Sequence, residues 1–129
     1  MTKRDAVFPD DRHALYDLHQ YSPAIRSGDL LFVSGQVGSR EDGTPEPVYE
    51  DQVRRAFANL RAVLAAAGAT FDDVAKVTFY VVNWDASMFE ELMRGAAAAK
   101  EKHPYPDVAL TPIGVQSLFT PDMLIEIEA

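Results

Sequence analysis

Between Val53 and Ala67 the apolar residues Val53, Ala56, Phe57, Leu60, Val63, Leu64 and Ala67 recur at three- and four-residue steps, and Arg54, Arg55, Asn59 and Arg61 take the other positions. That is the period at which an α-helix buries one stripe. Gly68 follows where a left-handed capping residue belongs, so the spacing predicts a helix over 53–67 closed by Gly68. The stripe needs a cover. After the turn residues Phe71-Asp72-Asp73, the segment Val74 to Val82 is rich in β-branched and aromatic residues, with Val77, Phe79 and Val81 on one face and Thr78, Tyr80 and Val82 on the other. A one-faced helix followed by a period-two strand calls for helix packed on sheet.

The flanking segments extend that layer. Ser27-Gly28-Asp29 has hairpin-turn chemistry between strands expected at Ala24 to Arg26 and Leu30 to Gln36, with Gly35 marking a bulge or a close approach by backbone or ligand. Gly38 to Pro47 reads as a solvated loop. Ser87, with Glu90 three residues on, is expected to cap a second helix over Met88 to Lys102. Pro104, Pro106 and Pro112 end it, and Ile113-Gly114-Val115 and Leu124 to Glu128 read as late strands. The element order is therefore β-β-α-β-α-β-β in a single α+β domain over 19–129. Residues 1–18 have no sustained period and carry Pro9 and Asp10-Asp11, which predicts an extended surface arm.

Charge and composition narrow the function classes. With 129 residues and 47% hydrophobic content, the chain has material for one core. The net charge of -8 and the lack of a basic, aromatic-interleaved cluster argue against nucleic acid as a partner. No stretch reaches membrane-spanning length, and the start lacks the apolar core of a secretory signal. The absence of cysteine excludes disulfides, thiol catalysis and thiolate metal sites, and a cytoplasmic location is the expectation. His13, His19 and His103 match no metal-ligand spacing, so no metal is expected and the histidines read as solvated.

Four landmarks in this order carry a resemblance: Tyr21-Ser22-Pro23-Ala24, Leu31-Phe32-Val33-Ser34-Gly35-Gln36, the run from Asn59 to Gly68, and the closing Ile125-Glu126-Ile127-Glu128-Ala129. From Tyr21 to the end, the chain resembles the RidA (YjgF, endoribonuclease L-PSP-like) family. The resemblance implies a chorismate-mutase-like fold with a mixed sheet on two helices. It also implies a homotrimer with a central barrel and small-molecule clefts between subunits. The activity implied is cofactor-free hydrolysis of reactive enamines and imines, by-products of pyridoxal-phosphate enzymes, to 2-oxo acids and ammonia. It further implies that Tyr21 lines the cleft, that Ser34 and Gly35 lie on the cleft strand, and that Glu126 handles water or its proton.

The sequence departs from that pattern at one chemically decisive point. Deaminating members of the family hold the substrate carboxylate with an arginine, whose planar guanidinium pairs with it bidentately. Three registers place the equivalent position at Val108, Leu110 or Thr111, and no arginine follows Arg94. The asparagine that the family carries on its second helix is replaced by Met93 in the register counted from Phe89. The candidate ligand-binding set is thus Tyr21, Ser34, Gly35, Met93 and Leu110, with Glu126 as the acid/base and Arg26 or Arg94 as possible substitutes for the missing cation. The plain alternatives are a solvent-facing Glu126 on an alternating strand and a merely structural Tyr21. Ser34 has no adjacent base, so hydrogen bonding suits it better than nucleophilic attack. A small-molecule hydrolase and a non-catalytic metabolite-binding trimer both remain open, with a ribonuclease disfavoured by charge.

Overall fold

The structure is a computed structural model that describes residues 4–10, 14–102, 104 and 106–129, so His13 and His103 lie outside the described residues. Its elements in chain order are β1 (Arg4–Val7), α1 (Ala14–His19), β2 (Ala24–Ser27), β3 (Leu30–Val33), β4 (Gln36–Val37), α2 (Tyr49–Ala66), β5 (Lys76–Val82), α3 (Phe89–Lys102), β6 (Ala109–Val115) and β7 (Ile125–Glu128). Strands β1, β2 and β3 form an antiparallel three-stranded sheet. The other four form a mixed sheet in the order β4-β7-β5-β6, with β5 parallel to β6 and antiparallel to β7.

The apolar stripe of α2 packs on the mixed sheet as its period requires, with Val53, Ala56, Phe57, Leu60, Val63 and Leu64 all buried. Beneath it lie Val77, Phe79 and Val81 from β5 and Ile125 and Ile127 from β7. Both isoleucines are fully buried, and each contributes roughly 1.5–3 kcal/mol by leaving water. Phe57 meets Phe79 edge-on at 5.9 Å between ring centres. The helix ends at Ala66 and Gly68 takes a left-handed φ of 75°. Because β7 alternates, burying Ile125 and Ile127 turns Glu126 and Glu128 to the opposite face.

The arm is more ordered than its sequence suggests. Arg4–Val7 extends the hairpin by pairing with β2, and α1 buries Tyr16, whose hydroxyl donates to Gln36 Oε1 at 2.8 Å. The expected strand from Leu30 to Gln36 is two strands in different sheets, broken at Ser34-Gly35. Asp85 replaces Ser87 as the cap: its carboxylate accepts the Ser87 N–H at 2.8 Å and closes a one-turn 3-10 helix, Ala86–Met88, ahead of α3. Strand β6 starts at Ala109, four residues before the expected one, and contains Pro112. The Ala109 N–H donates to the Ala75 carbonyl, so by alternation the Pro112 nitrogen faces away from β5 on this edge strand, where no donor is needed.

Candidate functional site

The break between β3 and β4 creates the site. Two bonds fix Ser34 there: its N–H donates to the Pro23 carbonyl at 2.8 Å, and its hydroxyl donates to the Ser22 carbonyl at 2.6 Å. The hydroxyl proton is therefore committed, while the oxygen lone pairs remain available as acceptors. Gln36, at 2% exposure, donates to the Ser34 carbonyl at 2.9 Å and accepts from Tyr16. Gln20 then turns the chain out of α1 with a φ of 56°, and Tyr21 stands edge-on to Tyr16 at 5.1 Å. Helix α1 thus braces both Tyr21 and the Ser34 carbonyl.

The placement of the Glu126 side chain depends on a bare Cα at position 35. Glu126 on β7 lies between Val37 and Tyr80, and its side chain folds over the bare Cα of Gly35. A Cβ at position 35 would lie 1.8 Å from Glu126 Oε1 and 2.5 Å from its Cδ. No hydrogen bond among the described residues ends on the Glu126 carboxylate. Burial, and then the charge of Glu128, raises its pKa above the ordinary glutamate value of 4.5. The Tyr21 phenol is likewise raised, first by burial and then by Glu126, so it stays protonated as a donor at neutral pH.

Tyr21, Ser34, Gly35 and Glu126 line one cavity of about 340 Å³. Its other walls are His19, Val37, Phe119 and Met123, with the His19 and Phe119 rings edge-on at 4.6 Å. Sequence reasoning treated His19 as solvated and did not single out Phe119 or Met123. Phe119 stands in a polar loop with no period, and only the fold brings it back over α1. Among the described residues no three metal-ligating side chains converge, and no helix is long and apolar enough to cross a membrane.

The remaining candidates lie elsewhere in the chain. Leu110 is in register with Val77 on the helix-facing side of the sheet, where it and Met93 line a separate apolar cavity beneath α3. Thr111, paired with Thr78, faces the same side as Glu126 and Glu128. Arg26 donates to the Ala67 carbonyl at the end of α2. Arg94 pairs with Glu50 and lies 3.9 Å from Glu90. Neither arginine lines the cavity.

The raised pKa of Glu126 carries a pH signature. A carboxyl that holds its proton more tightly when folded gives its full stabilisation below the unfolded pKa and loses it as pH rises through the folded value. Glu126→Gln removes this loss. The stability of the variant relative to wild type is therefore expected to increase as pH rises from about 4.5 toward neutrality. Thermal melts across that range check it, and a constant difference would contradict a desolvated carboxyl.

Comparison with known proteins finds relatives of the chain. Residues 11–129 match the family model described as Endoribonuclease L-PSP. The chain is 54% identical over 129 residues to the RutC family protein YjgH of Escherichia coli, covering 100% of this chain and 96% of that one. A solved structure of YjgH superposes with a TM-score of 0.84 over 97% of this chain and 92% of its own. Rv2704 of Mycobacterium tuberculosis, described as a member of the YjgF/YER057c/UK114 family, is 30% identical with a TM-score of 0.73 over 98% and 97% of the two chains. A protein of Dermatophagoides farinae named 2-iminobutanoate/2-iminopropanoate deaminase is 32% identical over 101 residues, 76% of this chain and 74% of that one.

Proposed function

Since the chain belongs to the endoribonuclease L-PSP family, the RidA/YjgF proteins, we propose that it is a small-molecule hydrolase that converts a reactive imine or enamine to a carbonyl compound and ammonia, with Glu126 as acid/base. One observation carries the reading: a half-buried carboxylate with no hydrogen-bond partner among the described residues, folded over Gly35 into a cavity shared with Tyr21 and Ser34. Glu126 takes a proton from water as the water oxygen bonds to the carbon of a protonated C=N group. The resulting carbinolamine receives that proton on nitrogen, the C–N bond breaks with its electron pair leaving on ammonia, and the hydroxyl oxygen becomes the carbonyl as its proton is released. The Tyr21 hydroxyl donates to the water-derived oxygen as it becomes the carbonyl, and Ser34 Oγ accepts an N–H of the reacting nitrogen.

The assembly proposed is a homotrimer. Edge strand β6 is open along its length, and Leu110 and Ile113 are exposed to 51% and 40%. An apolar open edge calls for cover. Within the chain it is Thr111, and not Leu110, that shares the Glu126 face of the sheet. Support for imine chemistry comes from the relative named as a deaminase.

The test is carbonyl release from freshly generated imines, with and without the protein. The expected result is acceleration that falls about 10²–10⁴-fold in Glu126→Gln. Absence of acceleration for every imine tried would contradict the reading. One feature favours a second reading, a non-catalytic metabolite-binding trimer: no lysine or arginine follows Lys102, so the late strands carry no cation to hold a carboxylate substrate. A ligand that raises the melting temperature without turnover would support it. Ribonuclease activity fits poorly, because Glu126 in the cavity and a net charge of -8 both repel phosphate.

A further inference from the structure

We infer that the cavity around Glu126 selects cationic ammonium- and iminium-type ligands that carry no carboxylate, and that it discriminates against 2-imino acids. The inference rests on this cavity being the ligand site and specifies what it takes. The sole carboxylate on the cavity wall is Glu126, and no lysine or arginine lines it among the described residues. The open edge strand β6 and everything after it lie beyond Lys102, where the sequence has no lysine or arginine. A carboxylate-bearing ligand would therefore face Glu126 across a partly desolvated space with no permanent cation to offset it.

A protonated nitrogen meets the opposite situation. Among the described residues Glu126 has no competing hydrogen bond, so an N⁺–H donor gains a charge-assisted bond without breaking one of these. The His19–Phe119 aromatic pair lines the same cavity, and Phe119 is 72% exposed, so its ring can carry the cation's apolar substituent or the cation itself. Val37 and Met123 give that substituent an apolar bed. Burial and the nearby Glu128 charge both disfavour the ionised form of Glu126, and a bound cation offsets both. The ligand class is thus an aryl- or alkyl-amine-derived imine, protonated at nitrogen and of a size suited to about 340 Å³.

A matched pair of probes tests the inference. Dissociation constants of phenethylammonium and 3-phenylpropanoate, equal in length and opposite in charge, are measured on the whole protein by calorimetry at neutral pH. Phenethylammonium is expected to bind at least about tenfold more tightly, with the preference lost in Glu126→Gln. Equal or tighter binding of 3-phenylpropanoate, or no binding of phenethylammonium, overturns the inference. The hydrolase reading is judged separately, on phenylacetaldimine and 2-imino-3-phenylpropanoate generated in place by amine and amino-acid oxidases. If neither is hydrolysed faster while the ammonium preference holds, the catalytic reading fails and the ligand class stands. If only the carboxylate-bearing imine is hydrolysed faster, the ligand class falls and the hydrolase reading stands.

Discussion

Gln52→Ala is expected to destabilise the protein by about 3–5 kcal/mol, a large fraction of what a domain of this size possesses. Gln52 sits on the buried side of α2 at 1% exposure. Its amide nitrogen donates to the carbonyls of Glu46 and Asp122, each at 2.8 Å, and its carbonyl accepts the Leu124 N–H at 2.9 Å. One side chain thus satisfies backbone groups of two loops, one entering α2 and one entering β7. Truncation leaves those groups without a partner at roughly 1–3 kcal/mol for each that water does not reach, and it adds a cavity. Denaturant unfolding should show a lower midpoint at unchanged slope. A loss below about 1 kcal/mol would mean that water replaces the amide, and that the loops are held by other contacts. Leu124 precedes Ile125, so this tie also fixes where Glu126 begins its approach to Gly35.

Gly35→Ala should separate the site from the fold. The added methyl would meet the Glu126 carboxylate, the far end of a flexible side chain, and no backbone atom is among the nearest atoms. The carboxylate must move. The fold should lose little stability, whereas imine hydrolysis should fall by a factor comparable to that of Glu126→Gln, about 10² or more. Gly38 is the contrast: there the methyl would meet the Gln52 backbone at 2.5 Å, which cannot move aside as a side-chain tip can. Parallel melting curves and hydrolysis rates on Gly35→Ala check the separation. Full activity in this variant would mean that the position of Glu126 over Gly35 is irrelevant to function.

The parts of the fold legible from sequence are those with a strong local period. The α2 stripe, the alternation of β5 and the Ile-Glu-Ile-Glu ending each repeat often enough to specify a buried face, and all three meet in the core. Glycine marked the strand break, but not its cause. What fills the space beside the bare Cα of Gly35 is Glu126, 91 positions away in the chain (126 minus 35) and brought there by the β4–β7 pairing. Capping by Asp85 rather than Ser87 turned on a 3-10 turn that composition does not distinguish from the first turn of a helix. Helix α1 and β1 had no readable period because each is a few residues long and is held by its partners, Gln36 for Tyr16 and β2 for β1. Leu110 and Met93 came from counting registers, and strand alternation places Leu110 on the face opposite Glu126. His19 at the end of α1 and Phe119 in a late loop were unreadable because their pairing exists only in three dimensions.

The account's central claim is that the Glu126 carboxyl is the group that meets the ligand in this cavity. Carbon-detected NMR titration of that carboxyl, with and without phenethylammonium, tests it most directly. The predicted result is a free-state pKa above the ordinary value of 4.5 that falls when the ammonium binds, because a cation offsets both burial and the Glu128 charge. A carboxyl that titrates at its ordinary value and does not respond to the ammonium would contradict the claim.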